Sequence, residues 1–281
     1  MIKILILSLF ISSLFSANIM QPTSEFKSSG AVVDIVYTAG KLYSATDASC
    51  VDIFDFQTKK IIKKIKVDQI TDFMGDIIDS KVYSVDVIKD KVLLLSQAKE
   101  GARRVHIYTN DSLNLIIPYS EKLLIAKAKF LDENTILLAL LGSELISYDV
   151  KNKKINYRTQ VSQSKFSNFA LNETKTQVVV ADESGDLKIY NTKDGVFVKK
   201  LSGQNLDNVF QVDYKNSIIA TAGQDRKVVI YDTKSNSAYY KMGSFLIYSA
   251  GLSPSAKLAG YSSDENNNVT VFNTSTQSIL G

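Results

Sequence analysis

The chain has no tryptophan, one histidine, one cysteine and three prolines in 281 residues. Each scarcity excludes something. A lone cysteine, Cys50, cannot close an internal disulfide, so the fold must stand on packing and hydrogen bonds. With His106 as the lone histidine, a zinc site built from His and Cys has too few ligands. A Ser-His-Asp triad would have to use His106, which sits in the alternating stretch RRVHIYTND with no nucleophile-elbow pattern. Cys-x-x-Cys-His, Walker and Rossmann glycine patterns are missing as well. Three prolines and no Gly/Ser-rich run leave no linker, which predicts a single folded domain. Charge is scarce in net terms, +4 from 33 basic and 29 acidic residues, spread thinly. Nucleic-acid binders cluster Lys and Arg on one face, so that class is disfavoured.

The N-terminus predicts the compartment. Lys3 is followed by an apolar run over residues 4–15, interrupted by Ser8, Ser12 and Ser13, and then by the small residues Ser16 and Ala17. This has the form of a secretory signal peptide, residues 1–17, and the run falls short of the ~18 residues of a membrane span. The expectation is a folded domain over 18–281 in the periplasm, with no membrane span after cleavage. No cysteine lies near the cleavage region to take a lipid anchor.

What the chain does have is a repeated sentence. ATAGQDRKVVIYDTKS, VVADESGDLKIYNTKDG and LAGYSSDENNNVTVFNTST share a small or apolar strand, a polar turn, and an alternating strand ending in an aromatic followed by Asp or Asn and Thr. The aromatic anchors are Phe54, Tyr108, Tyr148, Tyr190, Tyr231 and Phe272, separated by 54, 40, 42, 41 and 41 residues. Strand-type units at a period near forty are the signature of β-propeller blades. The predicted fold is all-β, one propeller of six blades, with seven as the alternative if a degenerate blade hides in the long second unit. Rings of this kind remove their open edge by closure, and the segment 23–28 is expected to supply the outer strand of the last blade.

Candidate functional residues follow from where the pattern breaks. Lys59, Lys60, Lys63, Lys64 and Lys66 form the densest basic run beyond the leader, read either as a docking strip or as an edge strand guarded against pairing. The second unit carries its excess length near residues 68–79 and 97–104, and such loops are where propellers place recognition surface. Phe73 and Met74, between acidic residues, are candidate exposed anchors. With Lys63, Lys64, Arg103 and Arg104 they form the predicted partner-binding set. DESGD (182–186) and DENNN (264–268) have calcium-friendly composition but lack EF-hand spacing and read as blade turns. Cys50 reads as a small buried strand residue and His106 as a strand residue.

At these units the chain resembles the WD40-type propellers. Residues 221–235, TAGQDRKVVIYDTKS, are the nearest match, with Tyr231-Asp232 where that family has Trp-Asp. Residues 252–274 carry its Ser-Pro turn and end in Phe272-Asn273. The buried Asp-His-Ser/Thr-Trp network of that family cannot form here. In leader, size and lysine-rich, low-proline composition the chain is also similar to the NapL-type periplasmic propellers associated with periplasmic nitrate reductase in epsilonproteobacteria. That resemblance implies a non-catalytic scaffold, without catalytic residues, metal or cofactor, assisting assembly or electron supply of the reductase through its subunits or cytochromes. Two other readings stay open. One is a propeller enzyme or ligand binder using the central channel, with Asp34, Asp86 or Asp213 converging inward. It lacks the Trp stacking floor of pyrroloquinoline-type propellers. The other is an outer-membrane protein assembly factor.

Overall fold

A computed structural model describes Ile19 and residues 21–281. The predicted signal peptide, residues 1–17, lies outside the described residues. Six antiparallel sheets follow one another along the chain in a six-blade propeller arrangement. The first blade comprises Val32–Thr38, Lys41–Thr46, Cys50–Asp55 and Ile61–Lys66. The next four repeat this four-stranded plan, and the sixth has three strands, Ala250–Leu252, Leu258–Ser262 and Val269–Asn273. The first strand of every blade is innermost and borders a common central cavity.

Register is conserved from blade to blade. The aromatic anchor on each third strand pairs with a second-strand residue: Phe54 with Leu42, Tyr108 with Val92, Tyr148 with Ile136, Tyr190 with Val178, Tyr231 with Ile219, and Phe272 with Ala259. The second strands of blades two to five are largely apolar on both faces because those blades are packed on both sides. Residues 136–140 are all within 5 % of full burial, as their unbroken apolar run predicts. Leu93, Leu138 and Val105 belong to the core between blades two and three, and Leu137, Phe169 and Val180 to the core between three and four.

The repeated aromatic-Asx-Thr motif has a physical account. The Asx side chain closes the turn into the outer strand by accepting backbone N–H groups. Asp55 accepts from Gln57 at 3.1 Å and Thr58 at 2.7 Å, Asp232 from Lys234 at 2.8 Å, and Asn273 from Ser275 and Thr276 at 2.9 Å. The threonine reaches across to the turn between the first two strands. Thr192, Thr233 and Thr274 donate to the carbonyls of Lys175, Ser217 and Ala256 at 2.6, 2.9 and 2.7 Å. One short motif thus fastens two turns of the same blade.

The resemblance implied that the WD40 network would be missing, and the fifth blade shows what stands in its place. Asn205, in the connection before the blade, accepts from Thr221 Oγ1 at 3.0 Å and from Tyr231 Oη at 3.3 Å, all three buried. Asp225 accepts from the Leu206 and Lys227 amides at 2.9 and 3.1 Å. Gly185 takes φ +86° against the same connection, where a Cβ would lie 2.8 Å from the Asn205 carbonyl oxygen.

One expectation and one alternative are corrected. Residues 23–28 do not complete the last blade; they lie on the first, with Phe26 edge-on to Phe54 at 5.4 Å and Ser28 Oγ 2.8 Å from Ser44 Oγ. The adjoining Ser29 donates its amide to buried Asp52 at 2.6 Å. The fourth position of the sixth blade is filled instead by the C-terminal tail. The amides of Val271 and Leu280 donate to the carbonyls of Gly281 and Val271, and the Asn273 amide to Ser278. The long second unit hides no blade; its excess forms a small hairpin, Ile70–Thr71 with Ile77–Ile78, and a single 3-10 turn, Lys99–Gly101.

The seam between the sixth and first blades differs from the rest. Five apolar cores join the five consecutive blade pairs, and none joins blade six to blade one among the described residues. Ile35 is 58 % exposed, whereas its register counterparts Val85, Ala128, Phe169, Val212 and Ala250 are all 5 % or less. Gly260, on the face of blade six that points to the seam, has only its own blade's Val269, Val271 and Thr270 within 4 Å of an added Cβ.

Asp225→Ala is expected to lower stability by about 1–2 kcal/mol, because two amides at an 8 %-exposed site lose their acceptor. Denaturant midpoints with an unchanged slope check this, and an unshifted midpoint contradicts it.

Candidate functional site

Two places carry exposed or unspent chemistry: the hairpin between blades one and two, and the central channel. The hairpin turn is built by Asp72. Its Oδ1 accepts the amides of Met74 and Asp76 at 2.8 and 2.9 Å, and Gly75 supplies φ +93°. The base is anchored on both sides. Asp79 Oδ1 accepts from Ser49 Oγ at 2.9 Å and Gln69 Nε2 at 3.0 Å, and Arg104 donates to the Asp68 carbonyl. The result is a short rigid projection that presents Phe73 at 95 %, Met74 at 72 % and Ile77 at 74 % exposure. Asp68, Asp72, Asp76 and Asp79 punctuate residues 68–79, which contain no Lys or Arg.

The other predicted partner-binding residues are already engaged within the chain. Lys63 pairs with Asp111 and lies over the Tyr108 ring, and Lys64 donates to Ser29 Oγ at 2.6 Å. Both belong to the outer strand of blade one, where lysines deter edge pairing. Arg103 stacks on Tyr83 at 3.9 Å, and Arg104 holds the hairpin base. Phe73 and Met74 come together at one tip, and the four basic residues do not join them in one cluster.

The channel is a cavity of about 430 Å³ lined by the innermost strands of all six blades. Asp34, Asp86 and Asp213 do point into it, as the sequence predicts, but each is bound to the next blade's backbone. Asp34 Oδ2 accepts from the Val85 amide at 3.0 Å, Asp86 Oδ2 from Phe130 at 2.8 Å, and Asp213 Oδ2 from Leu252 at 2.9 Å. The two lysines of IAKAKF were not read as channel residues. Charges on alternate positions of an otherwise buried strand were the available signal. Lys129 pairs with Asp34 at 3.3 Å and donates to the Val85 carbonyl at 2.6 Å. Burial opposes its charge, but Asp34 and Asp86 outweigh burial and hold it above the ordinary lysine value. Lys127 donates to Asn168 Oδ1 at 2.7 Å and to the Phe169 carbonyl at 2.9 Å. Burial first, and the Lys129 charge second, bring Lys127 down to about 8.

The remaining sequence candidates have structural settings. Asp182, in DESGD, is 2 % exposed. Burial works against its charge, but hydrogen bonds from Ser184 and Ser162 and the neighbouring Lys188, 3.1 Å away, hold it below the usual carboxylate range. Asp264, in DENNN, is lowered by the Asn268 side chain and amide. Both are blade turns. No group of three or more His, Cys, Asp and Glu side chains fit to hold a metal ion occurs among the described residues. Cys50 is buried on its strand, 3.4 Å from Thr46 Oγ1. No helix of the described residues is long and apolar enough to cross a membrane. No protein-family model and no curated protein matches the chain.

His106 is a buried strand residue paired with Leu94, its Nδ1 without a hydrogen-bond partner. Burial, reinforced by Arg104, takes it from 6.5 to about 4. The unfolded chain therefore takes up a proton near 6.5 and the folded chain only near 4, so its contribution is fully present above 6.5 and is lost as pH falls through that window. The loss is expected to reach no more than about 3.5 kcal/mol. His106→Leu should flatten the stability profile between pH 6.5 and 4, and a profile as steep as wild type contradicts the assignment.

Proposed function

We propose that this propeller is a non-catalytic periplasmic scaffold that engages a protein partner through the Phe73–Met74 hairpin. The observation that carries the reading is the tip itself. Phe73 is 95 % exposed on a turn that the Asp72 hydrogen bonds hold rigid. Exposed aromatic and Met side chains are the residue types enriched at interface centres, and a preordered loop loses little entropy on docking. A ring of blades is a fitting base for such a projection, since its core is separate from its rim. The sequence resemblance to NapL-type propellers supports a finer version: the partner is a periplasmic nitrate reductase subunit or a cytochrome that feeds it, and the scaffold assists assembly or electron supply. The leader-like N-terminus supports the compartment.

The test is affinity isolation of the tagged protein after mild cross-linking in nitrate-respiring cells, followed by mass spectrometry. Reductase or cytochrome subunits are expected above an untagged control and are expected to be lost with Phe73→Ala/Met74→Ala. The double variant should stay within about 0.5 kcal/mol of wild-type stability, because both side chains are exposed. Recovery of neither subunit class contradicts the finer reading. Capture that survives the double variant contradicts the assignment to the hairpin.

A further inference from the structure

The channel holds a cation that the blade-to-blade bonds do not neutralise. Its carboxylates are spent. Asp34 binds the Ile35 and Val85 amides and Lys129, Asp86 binds the Phe130 amide and lies 4.0 Å from Lys129, and Asp213 binds the Tyr214 and Leu252 amides and Lys215. Lys127 and Lys175 line the cavity without an ion pair among the described residues, and the hydrogen-bond acceptors of Lys127 are the neutral oxygens of Asn168 and Phe169. An ammonium carries three donors, and two are accounted for. The cavity around it has apolar wall as well as charge, including Ile35, Val36, Val212 and Ala250. Ile35 is the one member of its register position left exposed.

We propose that the central channel binds a small monocarboxylate with an apolar body, the carboxylate on Lys127 and the body against Ile35 and Val36. The cavity, about 430 Å³, lies in the range of small-molecule sites, roughly 300–1,000 Å³. The charge pattern selects the class. A cation would find every carboxylate occupied. A dianion on Lys127 would be repelled by Asp34, Asp86 and Asp213, whose charges act on that ammonium. A monoanion on Lys127 meets less of that repulsion, and its apolar part covers Ile35, which water otherwise wets. Because Lys127 titrates near 8, a bound carboxylate favours its charged form, and binding at that pH takes up a proton. The inference does not rest on the scaffold reading.

Isothermal titration of the full chain with hexanoate, acetate, hexanol and inorganic phosphate tests it. Hexanoate is expected to bind one-to-one and more tightly than acetate, with no heat from hexanol or phosphate. In two buffers of different ionisation enthalpy at pH 8, hexanoate binding should show proton uptake. Lys127→Met and Ile35→Asp should each weaken hexanoate by about tenfold or more. Lys127 bridges blades three and four, so melting is measured for both variants. If Lys127→Met fails to fold, the exposed Ile35→Asp site and the wild-type proton uptake decide. No hexanoate binding at millimolar concentration overturns the proposal. So does hexanol or phosphate binding as tight as hexanoate, or hexanoate binding unchanged by the folded variants.

Discussion

Each of the first five innermost strands hands a side chain to the backbone of the blade that follows, and the ring depends on that handover. Asp34 to Val85, Asp86 to Phe130, Lys127 to Phe169, Asn168 to Phe210 and Asp213 to Leu252 cover the five junctions in order. Amides and carbonyls on the inner strands face a narrow channel, where an unpaired backbone group is costly. The side chains satisfy those groups and fix the spacing of neighbouring blades together. Lys129 adds a second tie by reaching both Asp34 and the Val85 carbonyl, so blades one, two and three meet at one ammonium. Apolar cores between the sheets supply the bulk of burial, and the polar belt sets the register in which that burial occurs.

Much of this was legible in the sequence. The aromatic anchors gave the period, and their pairing with Leu42, Val92, Ile136, Val178, Ile219 and Ala259 follows it without a slip. Turn residues were readable because Asp, Asn and Thr act locally, through hydrogen bonds a few residues away. What was not readable depends on partners distant in the chain. Residues 23–28 have strand-like length and no signal saying which blade they meet; Phe26 chooses the first because Phe54 and Phe56 offer it a ring pair. Asn205 takes part in the fifth blade's network from outside the repeat, where no motif marks it. The acidic channel residues were named from inward alternation, but their occupation by the next blade's amides is a tertiary fact.

The same geometry separates the two functional candidates. The channel sits where the belt is dense, so any ligand there must use what the belt leaves over, and the charge of Lys127, met only by neutral oxygens, belongs to that remainder. The hairpin sits in the connection from the outer strand of blade one to the innermost strand of blade two, outside the belt and the five apolar cores, and can carry Phe73 and Met74 into a partner without disturbing a blade. At the junction of blades six and one the belt has no member among the described residues, Ile35 is exposed, and the atoms nearest an added Cβ at Gly260 belong to its own blade. Local stability in a repeat array follows neighbour contacts, so the two terminal blades are the expected sites of partial opening.

Amide hydrogen exchange read by mass spectrometry tests the belt most directly. The account predicts that the innermost strands Val82–Ile88, Ile125–Phe130 and Val209–Lys215 exchange only with global unfolding, while Val32–Thr38 and Ala250–Leu252 open at lower free energy. Uniform protection of all six innermost strands would contradict it, since it would mean that the junction of blades six and one is sealed as firmly as the other five.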